Sequence, residues 1–345
     1  MSNVNSQSIG QGYTLYHGDC VDVLRGLPDN SIDFSVFSPP FASLYTYSPS
    51  PRDFGNASSY SEFFEQYSFL AEQQFRVHKP GRLIAVHCMQ LTTTKGRDGF
   101  ISVVDFRGDL IRAYQKAGFI YHSEVCIWKD PVNAMQRTKA NRLLYMQVKK
   151  DSVQSGQGFA DYLVIMGKPG TNEVPVTKDP SEFPVQLWQR YASPVWVTLD
   201  HDDGVPSHYA DPINGESVRL LGDEAKAELD RDGSEFAICS DRVTDGDDTG
   251  IDPGDTLQFR SAREHADEKH ICPLQLPVIR RAIRLWSNPG EVVLSPFTGI
   301  GSEGYVAIKE CRRFIGAELK ESYYRQAARN LEQAERPAQM TMEIG

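Results

Sequence analysis

No stretch of this sequence approaches the roughly 18 consecutive apolar residues that a membrane-spanning helix requires, and residues 1–12 are polar with no apolar centre. Neither a membrane protein nor a secreted one is indicated. The six cysteines (Cys20, Cys88, Cys126, Cys239, Cys272 and Cys311) never form a Cys-x-x-Cys pair. That argues for reduced, mostly buried thiols in a cytoplasmic protein. There is no internal repeat. The Asp-rich run 241–255 lacks the regular acidic spacing and closing Glu of a calcium loop. His265, His270 and Cys272 lack a fourth spaced ligand for zinc. No metal is expected, and no nuclease-like cluster of carboxylates is evident.

What is present is an ordinary globular composition: 345 residues, 40% apolar and 24% charged, enough for one large α/β domain with an insertion. The formal net charge of −10 at first argues against nucleic acid as a partner. Its distribution reverses that argument. Residues 171–270 hold 23 of the 46 acids and 9 of the 36 Lys and Arg, a net of −14, which leaves +4 for the rest. Residues 129–150 carry Lys129, Arg137, Lys139, Arg142, Lys149 and Lys150 against Asp130. A basic face for a phosphate backbone is therefore compatible with an acidic chain.

The most informative stretch is 292–302, Val-Val-Leu-Ser-Pro-Phe-Thr-Gly-Ile-Gly-Ser. Three apolar residues read as a buried parallel strand. Gly299 and Gly301 allow a tight turn and close approach of a ligand to bare backbone, and a helix opening at Ser302 would aim its N–H groups at that ligand. A second strand, 314–317, ends in Glu318, about twenty residues past the turn, where a carboxylate can accept from a ribose diol. Together these indicate a nucleoside-type cofactor.

A loose tail (1–12) is expected first, then a strand at 13–16, a helix at 20–27 after Gly18-Asp19-Cys20, and a strand at 32–37. Residues 61–77 have the apolar spacing of a helix. Residues 82–88, 119–128 and 161–166 read as strands and 105–117 as a helix. After the acidic region come helices at 276–286 and 321–334. Strands alternating with helices predict an α/β fold, a Rossmann-like and mostly parallel sheet with helices on both faces. The expected divisions are 13–170, an inserted region 171–269, then 270–335 and a tail 336–345.

The strand at 32–37 runs directly into Ser38-Pro39-Pro40-Phe41. Two prolines end both helix and sheet and make the loop rigid. The Ser38 hydroxyl and Pro39 carbonyl can both accept hydrogen bonds from one planar –NH2 group, and Phe41 offers a face to a flat base. An amine held there, opposite a sulfonium cofactor at the other loop, suggests methyl transfer.

Four segments, in order, resemble the amino-methyltransferases of DNA, in the arrangement (the β class) where the catalytic loop precedes the cofactor loop. They are Gly18-Asp19-Cys20 with Ser38-Pro39-Pro40-Phe41, then 270–277 (His-Ile-Cys-Pro-Leu-Gln-Leu-Pro), then Pro296-Phe297-Thr298-Gly299-Ile300-Gly301-Ser302, then Phe314-Ile315-Gly316-Ala317-Glu318. The resemblance implies S-adenosylmethionine as cofactor and double-stranded DNA as partner. It implies that Asp19 meets the cofactor's adenine amino group and Glu318 its ribose. His270, Cys272, Pro273 and Leu274 would close over its methionine part, and Phe297, Thr298, Gly299, Gly301 and Ser302 would line its pocket. The family usually has Asp where this chain has Ser295, and a Thr pair where it has Ser302-Glu303. The target base must leave the stack to reach Ser38. Tyr45 and Tyr47 are placed to fill the gap, and Arg137, Lys139, Arg142, Lys149 and Lys150 to meet phosphates. Residues 171–269 are where such enzymes place target recognition, here carrying Trp188, Arg190 and Trp196. Ser at the head of the Pro-Pro loop favours cytosine N4 over adenine N6. An RNA or protein-amide substrate, a catalytically weak DNA-binding relative and a homodimer stay open.

Overall fold

The computed structural model describes residues 4–41, 50, 52–93, 95–129, 145–197, 251, 255–258 and 274–336. Tyr45, Tyr47, Arg137, Lys139, Arg142, His265, His270, Cys272 and Pro273 lie outside them, as does most of the acidic region. No helix among the described residues is long and apolar enough to cross a membrane.

The elements in chain order are β1 (Val4–Ile9), β2 (Tyr13–Gly18), α1 (Cys20–Arg25), β3 (Ile32–Phe37), α2 (Tyr60–Val77), β4 (His78–Met89), β5 (Leu91–Thr92), α3 (Lys95–Asp98), β6 (Val103–Val104), α4 (Phe106–Lys116), β7 (Ile120–Ile127), α5 (Tyr145–Lys150), β8 (Asp161–Gly167), α6 (Val185–Tyr191), β9 (Val195–Trp196), α7 (Leu276–Trp286), β10 (Val292–Ser295), α8 (Ser302–Lys309), β11 (Arg313–Glu318) and α9 (Glu321–Glu335). Nine strands form one sheet in the order β1-β2-β11-β10-β3-β4-β8-β7-β9. The central strands β2, β11, β10, β3 and β4 are parallel. Only β1 and β8 run against their neighbours. Every residue of β3 is buried, as a central parallel strand covered on both faces requires. One apolar cluster packs α1, α2 and α4 against the sheet, and a second packs α7, α8 and α9. The fold is the mostly parallel α/β sheet, helices on both faces, that the alternation of patterns implied.

Two expectations change. Residues 4–9 are not a loose tail: they form an edge strand, antiparallel to β2. Its polar sequence, Val-Asn-Ser-Gln-Ser-Ile, hides it from a hydrophobicity reading, because an edge strand is held by backbone ladder bonds. The sheet domain also does not end at 170. Residues 195–196 pair in parallel with β7, and Trp196 is 1% exposed, with the Arg281 guanidinium 5.3 Å from its ring centre. Residues 171–197 thus continue the main domain, because a two-residue strand is too short to show a period.

The N-terminal ends of the central strands are tied by buried polar groups. Asp33 accepts from Lys79 Nζ at 2.6 Å, Arg82 Nη2 at 3.2 Å and Val292 N at 2.9 Å, and Arg82 also pairs with Glu291. Nearby, Ser35 Oγ lies 2.9 Å from His78 Nε2, while His78 Nδ1 lies 2.7 Å from the Gln74 carbonyl oxygen. Burial lowers the His78 imidazole to about 4, so the ring is neutral. Its Nδ1–H donates to the carbonyl and Nε2 accepts from Ser35.

Candidate active site

Parallel pairing puts the two key loops side by side. Val293 pairs with Phe34 and Leu294 with Ser35, so β3 and β10 end at the same edge and release Ser38 and Phe297 next to each other. The rings of Phe37 and Phe297 are 6.0 Å apart. Glu318 ends β11 on the other side of β10, paired with His17 of β2, and Asp19 follows β2 directly. Asp19, Glu318, the glycine turn and Ser38 therefore lie in that order along four adjacent strands. At about 4.8 Å per strand this edge spans roughly 14 Å, the carboxyl-end crevice where ligands sit in open α/β sheets.

Each end of this row has its own chemistry. Asp19 is the N-cap of α1, accepting from Asp22 N at 3.1 Å. Burial raises its carboxyl above the usual value, against backbone donors and Arg52. Glu318 accepts from Gly299 N and Lys320 N, both at 2.8 Å, yet burial still pushes it to about 7. Gly299 and Gly301 have φ of +55° and +91°, the left-handed region that favours glycine. A Cβ on Gly301 would come within 3.2 Å of Ala327, whereas one on Gly299 would meet nothing within 4 Å. Among the described residues, the space above Gly299 is open.

Buried polar atoms on the segments flanking this loop lack partners among the described residues. Ser295 Oγ, Ser302 Oγ and Gln275 Oε1 are buried with no hydrogen-bond partner among the described residues. The Glu303 carboxyl, 4% exposed, is pushed by burial to about 8. Orphaned buried polar groups call for an explanation, and a polar ligand supplies one. Thr298 is bound internally, Oγ1 to the Ser295 carbonyl oxygen at 3.2 Å. Leu274 is a buried core residue ahead of α7. Phe297 packs on Phe54 at 5.6 Å, so the short turn at residues 54–56 lies against the glycine loop.

At the other loop, Ser38 is half-buried, Pro39 buried, and Pro40 and Phe41 half-buried. Phe41 meets Phe106 edge-on at 6.2 Å. Ser38 is not alone. Its Oγ lies 3.1 Å from His87 Nδ1, and His87 Nε2 lies 2.9 Å from Asp161 Oδ2. Lys129 pairs with the same Asp161 oxygen. Burial alone would raise the Asp161 carboxyl, but the Lys129 ammonium and then His87 outweigh it and hold it at about 2. Sequence reasoning missed His87 and Asp161, and read Lys129 only as part of a basic stretch. Of the basic residues, Lys149 and Lys150 are exposed on α5, and Trp188 is 53% exposed on α6.

The fold and the row of groups along its carboxyl edge define a class, the open, mostly parallel α/β sheets with a ligand crevice at the carboxyl ends of their strands. A sequence model described as DNA methylase, covering the N6 and N4 amino-methylases, matches residues 32–329, and the chain belongs to that family. It is 25% identical over 312 residues to the type II methyltransferase M.BglII of Bacillus subtilis, a match spanning 90% of this chain and 66% of that one. It is 39% identical over 84 residues to the DNA adenine methyltransferase YhdJ of Escherichia coli K12, spanning 24% and 29%. This chain thus spans less than two thirds of either relative's length. Its fold is similar to that of the cytosine-N4-specific PvuII DNA methyltransferase, at 16% identity and a TM-score of 0.55 over 95% of this chain and 90% of that one.

Proposed function

We propose that this chain transfers a methyl group from S-adenosylmethionine to an exocyclic amine of a base flipped from double-stranded DNA, cytosine N4 in preference to adenine N6. The observation that carries the reading is the adjacency of the Ser38 and Gly299 loops across paired strands. The residues fit the cofactor. Asp19 would meet the adenine amine and Glu318 the ribose. Phe297, Thr298, Gly299, Gly301 and Ser302 would line its pocket, with Leu274, His270, Cys272 and Pro273 toward its methionine end. When bound, the cofactor supplies an electrophilic methyl on sulfur. Ser38 and the Pro39 carbonyl accept the two hydrogens of the amine and turn its lone pair outward. Ser38 is a neutral acceptor, which favours the cytosine amine. Lys149, Lys150, Arg137, Lys139 and Arg142 would meet phosphates, and Tyr45 would fill the vacated stack. The protein would act in the cytoplasm.

A Ser-His-Asp row also invites an acyl-transfer reading. Pro39 and Pro40 argue against it. The residue after a nucleophilic serine commonly supplies an N–H to the oxyanion hole, and neither proline has one.

The test is nucleoside mass spectrometry of duplex DNA after incubation with the protein and S-adenosylmethionine. 4-Methylcytosine supports the full reading. 6-Methyladenine overturns the base assignment alone, and unmodified DNA overturns the activity.

A further inference from the structure

The structure contains more at the catalytic loop than an amine-holding turn requires. A hydroxyl and a carbonyl suffice to hold the two hydrogens, yet Ser38 is backed by three further groups from three other segments. The β3–β4 register, Phe37 against Val86, continues to set Ser38 beside His87. The β4–β8 register sets His87 against Leu163 and Met89 against Asp161, so β8, running in reverse, begins at this same edge. Lys129 follows β7, whose Ile127 pairs with Asp161.

The chemistry of this row fixes the direction of its hydrogen bonds. Asp161 is 3% exposed and held ionised, so it only accepts. His87 Nε2, 2.9 Å away, must then carry the proton. In the neutral ring that leaves a lone pair on Nδ1, facing Ser38 Oγ at 3.1 Å. Ser38 therefore donates its own hydrogen to His87 and keeps its oxygen lone pairs for the substrate amine. The charged groups facing the ring among the described residues are Asp161 and, through it, Lys129.

We infer that His87, held in one tautomer by Asp161 and Lys129, is the positioning residue that takes, through Ser38, the proton the target amine must lose. The inference rests on the methyl-transfer reading. As the nitrogen bonds to the methyl carbon, the carbon–sulfur bond breaks and its electron pair stays on sulfur. The nitrogen then holds one proton too many. That proton passes to Ser38 Oγ while the Ser38 hydrogen passes to His87 Nδ1. The resulting imidazolium faces the Asp161 carboxylate and later releases its proton to water. Lys129 keeps Asp161 ionised and fixed, so it orients the ring.

Two measurements test this. Histidine-selective 15N NMR of the free wild-type protein should show His87 as the Nε2–H tautomer, assigned by its loss in His87→Gln; an Nδ1–H ring would overturn the relay whatever the protein's substrate. Single-turnover methyl transfer to duplex DNA should then be followed against pH. Wild type should show a rising limb that is absent from His87→Gln, with that variant's plateau lowered about 100-fold. Asp161→Asn, which keeps an oxygen to accept from Nε2 and Lys129 but removes the charge that stabilises the imidazolium, should lose a similar factor while its cofactor affinity stays within about twofold. An active wild type with an unchanged His87→Gln profile would overturn the relay and leave the methyl-transfer reading intact. A wild type that transfers no methyl group would overturn both.

Discussion

The same two strands carry two serine–histidine pairs, and the contrast between them separates structure from chemistry. Ser35 lies within β3 and His78 opens β4; Ser38 and His87 sit at the C-terminal ends. In the first pair the second histidine nitrogen is spent on a backbone carbonyl oxygen, and burial keeps the ring neutral. Ser35 is 0% exposed, so its oxygen can serve nothing beyond the fold. In the second pair the far nitrogen meets an ionised carboxylate, and the serine is half-buried at the mouth of a crevice. Identical side chains thus become a closed lock inside the sheet and an open proton path at its carboxyl edge. What differs is the partner of the remote nitrogen and the access of the serine.

Substitutions can break this contrast. The largest effect is expected for Ser38→Ala. Single-turnover methyl transfer should fall about 100- to 1000-fold with the unfolding midpoint nearly unchanged, as for a lost donor or acceptor aimed at a reacting group. Ser35→Ala should do the reverse. It leaves His78 Nε2 buried without a donor and should cost about 1–2 kcal/mol of stability in urea titrations, with the transfer rate per folded molecule unchanged.

Next comes the pH dependence of stability. His78 has a folded-state value of about 4 against 6.5 unfolded. The unfolded chain binds the extra proton first, so the stability from this neutral ring is complete above about pH 6.5. It is lost as pH falls toward 4, by about 3 kcal/mol. Urea midpoints measured across this range in wild type and His78→Gln should show the wild-type decline reduced in the variant.

Glu318 sharpens the contrast within the open end. Its carboxyl is raised to about 7. That contribution to stability is present below about pH 4.5 and is lost as pH rises through 7. Glu318→Gln should remove this loss, raising the melting temperature of the cofactor-free protein at pH 8, while weakening S-adenosylmethionine binding about tenfold by calorimetry. The smallest effect is expected for Lys149→Ala with Lys150→Ala. DNA binding should weaken uniformly across sequences, and the slope of its log affinity against log salt should drop by about 1–2.

How much of this was legible in the sequence follows from how local each signal is. The strand into Ser38-Pro39-Pro40-Phe41 and the strand, glycine turn and acid around Gly299 and Glu318 are contiguous patterns, and the fold places them as that reading required. The strand at 4–9 was missed because an edge strand needs no apolar alternation, and β9 because two residues carry no period. His87 and Asp161, and the pairing of Lys129 with them, were missed for a different reason. They lie 49, 123 and 91 positions from Ser38 and form no local motif. The signal lay in topology. His87 nears the end of a strand parallel to β3, and Asp161 opens a strand running the other way. Only a reader who knew that β8 reverses could have brought the two to one edge.

The central claim is that one crevice, along the carboxyl ends of β2, β11, β10 and β3, holds cofactor and target together. A crystal structure of the protein with a non-reactive S-adenosylmethionine analogue tests it most directly. The account predicts the adenine at Asp19, the ribose on Glu318, and the position of the transferable methyl turned toward Ser38 Oγ with room for one amine between them. An analogue bound with that position facing away from Ser38, or seated anywhere else on the sheet, would contradict it.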